Sequence, residues 1–249
     1  MRAAEVRRVS DYQSIEWLSD SLTLRLLDQR QLPHATKYND YDDWRELPGA
    51  IKDMVTRGAP AIGITGAYAL AMAAHSSEAT TAADLLDDLA HAKETIYQSR
   101  PTAVNLGWAL DRLMERISNE TSVDGIRNAL VDESNRIFEE DAQVCKQIGK
   151  NALPLIPNKA TIFHHCNTGS LATADYGTAL GIIRTAYEAQ KDVFAILDET
   201  RPRLQGAALS SWELMQLGID YEVIVDGASG HVMRCLLYTS DAADEVLGV

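Results

Sequence analysis

Between residues 43 and 118 the apolar side chains return every three or four positions, which predicts helices over residues 47–58, 59–75, 81–98 and 102–118. Leu85, Leu86, Leu89, Ala92 and Ile96 share one face of the third, with acids and lysine opposite. A further long helix is expected from Val123 to about Leu153, interrupted at Gly149 and closed by Pro154 and Pro157. Ahead of these, residues 14–33 alternate apolar and polar around a Ser19-Asp20-Ser21 turn and read as a hairpin or meander.

Beyond Pro157 the pattern changes to strand and helix in alternation. Strands are expected at 160–167, 192–199 and 221–227, with helices at 171–190 and 206–218 between them. Strands joined by helices of that length pair in parallel, and their carboxyl ends form the functional edge of the sheet. The predicted class is α/β: a mainly helical N-terminal domain with a small β-sheet at 1–153, then a Rossmann-like parallel-sheet domain at 154–234. The second domain reads as incomplete, because another helix and strand should follow Met233 and three strands leave an open edge. Residues 235–249 instead read as a non-native tail resembling translated sequencing adapter, with a genuine short tail as the alternative.

Composition narrows the function classes. With 46% hydrophobic and 24% charged residues the chain is globular, and its net charge of −13 works against nucleic acid and anionic membrane as partners. An anionic substrate would have to be caught by a few local cations, which makes individual arginines informative. Cys145, Cys166 and Cys235 are odd in number and show no Cys-x-x-Cys pairing, as suits a reducing compartment. No secretory signal opens the chain, and the apolar run Ala59–Ala74 is too short to span a bilayer, so a soluble cytoplasmic protein is expected.

Chemistry concentrates in four motifs. In Val-Thr-Arg57-Gly58-Ala59-Pro-Ala, Gly58 ends one helix and Pro60 starts the next, leaving helix N–H groups beside a cation. An ordinary turn with an exposed arginine is the plainer reading. Arg100 precedes Pro101 just ahead of another helix, where its guanidinium could hold phosphate or make a surface ion pair. Residues 161–181 deliver Cys166 to the end of a strand and into a small-residue turn, where following helix N–H groups would favour a thiolate. A buried, inert cysteine is the alternative. His164 shares a face with Cys166 and His165 points away; with no carboxylate or second thiol at ligand spacing, no metal is expected. Asp198, Glu199, Arg201 and Gln205 follow the second strand, and Asp226 ends the third, as site residue or helix cap.

Taken together, RGAPAIG, RPTAVNL followed by WALDR, HCNTGSLATADYGTALG, DETRPRLQGA and VIVDGASGHVM resemble the 5-methylthioribose-1-phosphate isomerase family over residues 8–234. That resemblance implies a homodimeric, cofactor-free aldose–ketose isomerase of methionine salvage acting on a sugar phosphate. It implies Cys166 as catalytic, and Arg57, Gly58, Ala59, Arg100 and Gln205 as substrate-binding. The family also carries an aspartate in a Gly-Ala-Asp-Arg strand and an Asn-Lys pair, and nothing after Met233 matches either; Asp226 belongs to an earlier motif. A positioned acid contributes about two to four orders of magnitude, so the chain is expected to turn over little without that aspartate. The competing readings are a ribose-1,5-bisphosphate isomerase and a non-catalytic regulatory subunit of the translation-initiation exchange-factor type.

Overall fold

The computed structural model describes residues 12–235; the tail expected at 235–249 lies outside what is described, apart from the backbone of Cys235. Strands β1 (Ile15–Leu18), β2 (Thr23–Leu27) and β3 (Tyr38–Tyr41) form an antiparallel sheet in the order β1-β2-β3. The expected meander is present, and β3 is a strand that the sequence reading did not anticipate: Tyr-Asn-Asp-Tyr has little apolar alternation and owes its place to pairing with β2.

Five helices follow: α1 (Leu47–Lys52), α2 (Ala59–Ser76), α3 (Ala82–Tyr97), α4 (Val104–Ile117) and α5 (Val123–Ala152). Side-chain caps start two of them, Thr81 accepting from the Asp84 N–H and Ser122 from the Gly125 N–H. Helix α4 buries Leu106, Ala109, Leu110, Leu113 and Ile117, a single stripe, whereas every residue of α2 from Ala61 to Ala74 is buried. An all-apolar helix belongs at a centre, and α2 is accordingly packed against α1, α3, α4 and α5. Gly66 and Gly63 let α4 approach, since a Cβ on either would meet Leu106 or the Asn105 carbonyl within 2.9 Å.

Helix α5 runs through Gly149 without the expected interruption. The glycine serves packing instead, because a Cβ there would lie 2.0 Å from the Thr185 hydroxyl oxygen of α6 (Ala179–Glu188).

The second half is a parallel sheet in the order β4-β5-β6, built from β4 (Lys159–His164), β5 (Asp192–Asp198) and β6 (Tyr221–Ile224). Helices α6 and α7 (Ser211–Leu217) connect the strands, and α8 (Ser229–Cys235) follows β6. One expectation needs correction: the helix predicted from 171 begins only at Ala179. Residues 168–178 fold instead into a pinned loop, in which the Thr178 N–H donates to the Thr168 carbonyl and Gly169 bridges Gly177. Gly177 has φ +91°, a left-handed value that an α-helix cannot contain.

The two halves meet at the turn Ser170–Ala172. Leu171 packs with Leu27, Leu32, Leu209 and Trp212 in an apolar cluster drawn from both. The buried Glu213 carboxylate accepts from the Ser170 N–H and hydroxyl, both at 2.7 Å, and from the Tyr12 hydroxyl at 3.0 Å. Gly169 makes room for it, since any Cβ would fall 2.3 Å from the carboxylate. Glu213→Ala would strand these donors in a dry site, so it should cost roughly 2–4 kcal/mol in urea unfolding. A loss under about 0.5 kcal/mol, the range of ordinary surface changes, would contradict this role for the carboxylate.

Candidate active site

Arg57, Gly58, Ala59, Arg100, Cys166 and Gln205, the six residues that the resemblance assigns to the site, line one cavity of about 520 Å³. Met54, Asn105, Asn167 and Arg203 complete most of its wall, and no described lining residue carries a carboxyl group. Asp198, Asp226 and His165 lie outside the lining.

Three element starts converge on this cavity. Gly58 caps α2, Ala103 caps α4, and Gln205 precedes a π-helical turn, Gly206–Ser210, that runs into α7. The α2 and α4 caps carry no side-chain hydrogen bond, so backbone N–H groups stay available there, whereas at the third start the N–H groups of Gln205, Ala207 and Ala208 already donate to backbone carbonyls. Gly58 is required twice over. Its φ is +108°, and a Cβ would lie 2.4 Å from the Cα of Ala172. The α1–α2 turn is thus pressed against the Ser170–Ala172 turn, which sets Arg57 beside Cys166.

Arg57 is half-buried and its Nε has no hydrogen-bond partner among the described residues. Burial pushes its pKa down, repulsion from Arg203 pushes it further, and Cys166 opposes both. Neither Arg57 nor Arg100 is within ion-pair distance of a described carboxylate.

Cys166 lies two residues past the end of β4 in the left-handed region, φ +74°. That conformation is costly for a residue with a Cβ and persists where neighbours hold it. Here the Cys166 N–H donates to the Thr200 hydroxyl at 2.9 Å, and the Ser210 hydroxyl donates to the Cys166 carbonyl at 2.9 Å. The thiol donates to the Gln205 side-chain oxygen at 3.1 Å. The expected helix N-terminus directly after the cysteine is not there, because α6 starts at Ala179; the positive helix ends come from elsewhere in the chain.

The two histidines part as strand geometry requires. His164 is buried, bonded through Nε2 to the Thr168 hydroxyl at 2.7 Å, and burial with repulsion from His165 holds its pKa down to about 4. His165 is exposed, with Nδ1 2.8 Å from Asp198. His165, Asp198 and Asp226 bring their ligand atoms within 4.8 Å of one another, the sole such metal-competent trio among the described residues. Protein groups already satisfy both acids: Asp198 takes His165 and the Ser229 hydroxyl, and Asp226 takes the Thr200 and Arg201 N–H groups. Asp226 therefore fixes the loop after β5. Arg203 and the Thr200 anchor escaped the sequence reading, although both stand in the DETRPRLQGA motif.

A neutral His164 is a pH-dependent element of the fold. Its folded pKa lies below the ordinary 6.5, so its contribution is complete above about pH 6.5 and is lost as pH falls toward 4. The loss should approach about 3 kcal/mol, and His164→Gln should flatten that part of the curve of unfolding midpoint against pH. An unchanged slope in the variant would exclude His164 as the source.

The profile of the initiation factor 2 subunit family matches residues 55–241. The chain is 52% identical over 227 residues to the methylthioribose-1-phosphate isomerase of Synechococcus sp., covering 91% of this chain and 65% of that protein. It is 49% identical to methylthioribose-1-phosphate isomerase 2 of Pseudothermotoga lettingae, with the same two coverages. Among solved structures, the 5-methylthioribose 1-phosphate isomerase of Pyrococcus horikoshii superposes with TM-score 0.85 at 35% identity, over 92% of this chain and 66% of that one. The delta subunit of translation initiation factor eIF-2B from A. fulgidus gives 0.82 at 36% identity, over 90% and 65%. The chain thus spans 65% of the length of the two curated relatives.

Proposed function

The chain belongs to the initiation factor 2 subunit family, and from that premise we propose that its cavity binds an aldose 1-phosphate and isomerises it to the ketose 1-phosphate. The substrate we assign is 5-methylthioribose 1-phosphate, the compound named in isomerases it resembles. One observation carries the reading: a thiol, arginines with no described carboxylate in ion-pair reach and open helix N-termini line a single cavity whose described lining holds no acid.

Each residue then has a task set by its surroundings. The phosphate takes the N–H groups at Gly58 and Ala59 with the guanidinium groups of Arg57 and Arg100, which together offset its charge. Phosphate blocks C1, so the sugar ring must open before hydrogen can move between C2 and C1. Cys166 serves the C2 side, where its fixed backbone aims the sulfur, and Gln205 orients the thiol through its side-chain oxygen. The resemblance assigns ring opening to an aspartate in a segment that has no counterpart among the described residues. It also carries with it a cytoplasmic homodimer that needs no cofactor, and no described helix is long and apolar enough to cross a membrane.

A regulatory subunit is the competing reading, since the eIF-2B delta chain, at 36% identity, is as similar in sequence as the solved isomerase at 35%. Cys166 weighs against it: a strained, doubly anchored backbone and an oriented thiol facing a cation-lined cavity have chemical use only if something reacts there.

The test is to titrate 5-methylthioribose 1-phosphate and ribose 1,5-bisphosphate side by side and to follow ketose formation by phosphorus NMR. Arg57→Ala should weaken binding roughly 10- to 100-fold. In a chain extended with the family's Gly-Ala-Asp-Arg strand, Cys166→Ser should bind within a few-fold of its parent yet convert at least about 100-fold more slowly. Conversion at the parent's rate by Cys166→Ser would refute the assignment, and preference for the bisphosphate would change the substrate.

A further inference from the structure

One cation of the cavity wall has no assignment so far. Arg203 stands in the DETRPRLQGA motif, two residues before Gln205. Arg203 lines the same cavity as Arg57, Arg100 and Cys166, and no described carboxylate lies within ion-pair distance of it. In a chain of net charge −13, it shares a cavity wall with two other arginines rather than with an acid of the described residues.

Its position is fixed rather than left to a free loop. Thr200 and Leu204, on either side, both hold left-handed backbone, φ +58° and +53°. Asp226 accepts the N–H groups of Thr200 at 2.7 Å and Arg201 at 2.8 Å, while the Thr200 hydroxyl receives the Cys166 N–H. The segment that carries Arg203 is therefore tied to the segment that carries the thiol. Arg57 and Arg203 line one cavity, and repulsion from Arg203 adds to burial in lowering the pKa of Arg57.

We propose that Arg203 is a specificity-determining anion ligand that closes a three-arginine clamp and selects a doubly charged phosphate over a singly charged one. The proposal rests on the anion-binding reading of the cavity given above. A single negative charge among three guanidinium groups leaves the repulsion between Arg57 and Arg203 largely uncompensated. Two charges offset it, and each added guanidinium–phosphate contact is a charge-assisted hydrogen bond in a partly dry site. Arg203 thus converts a site that tolerates a monoanion into one that requires the dianion.

Inorganic phosphate and sulfate, titrated calorimetrically into wild type, Arg203→Leu and Arg203→Lys at pH 5.5 and 8, test this. Phosphate gains its second charge across that interval and sulfate is a dianion throughout. Wild type should bind phosphate about tenfold more tightly at pH 8, and Arg203→Leu should lose roughly tenfold at pH 8 but little at pH 5.5. Sulfate should weaken in Arg203→Leu at both values, and Arg203→Lys should recover part of each loss. Arg203 is exposed, so both variants should keep the wild-type unfolding midpoint. If Arg203→Leu binds phosphate with the wild-type affinity and pH profile, the proposal fails while the anion cavity stands. If wild type binds neither anion, the cavity reading itself fails and takes this one with it.

Discussion

The backbone of the Ser170–Ala172 turn is buried between the two halves of the molecule, and the need to satisfy its polar groups without water governs the site. The Ser170 N–H goes to Glu213 of the parallel-sheet half. The Ser170 carbonyl receives the Ser14 hydroxyl at 3.0 Å and the Leu171 carbonyl receives the Gln29 amide at 2.6 Å, both from the helical half. Each of these bonds is buried, where an unmade one costs far more than a made one contributes. Gln29 also donates its backbone N–H to the Val55 carbonyl, two residues before Arg57. The register of the turn is thereby transmitted to the α1–α2 corner, and Gly58 can close on Ala172 to place a cation against Cys166.

Electrostatics then follows from geometry. The chain as a whole is strongly acidic, yet the cavity has three arginines and two open helix starts with no acid in its described lining. Elsewhere arginines are neutralised on the surface, as Arg112 is by Glu140 and Arg25 by Asp40. Such exposed pairs stabilise little, whereas unpaired cations focused in a concave, partly dry space create a local field of opposite sign to the average. A low pI is compatible with an anionic ligand for this reason.

How much of this was legible follows from the range of each interaction. Helices α3 and α4 were readable because their buried stripes, Leu85-Leu89-Ala92-Ile96 and Leu106-Leu110-Leu113-Ile117, are local in sequence. The parallel strands were readable from their alternation with helices. Residues 171–178 were misread as helix because their composition suits one, and only the long-range pinning by Thr168 and Glu213 forbids it. Gly149 looked like a break because its partner, Thr185, lies on another helix. Cys166, Arg57 and Arg100 stood out through motif context, whereas Thr200, Glu213 and Gln29 act through contacts that no spacing rule foretells.

The origin of the cavity wall explains why so few of its residues could be moved. Cys166 comes from the loop after β4, Gln205 and Arg203 from the loop after β5, Arg57 from the α1–α2 corner and Arg100 from the loop before α4. No two of these segments adjoin in sequence, so no local structure can hold an anion and a thiol together. The backbone at Cys166 stays left-handed only because Thr200 and Ser210 of the next crossover grip its N–H and carbonyl. Its sulfur meets the cations only because the Ser170–Ala172 turn is docked on the helical half. Loss of either support would leave every lining residue present and the site dispersed, because the chemistry depends on docking geometry more than on any single side chain.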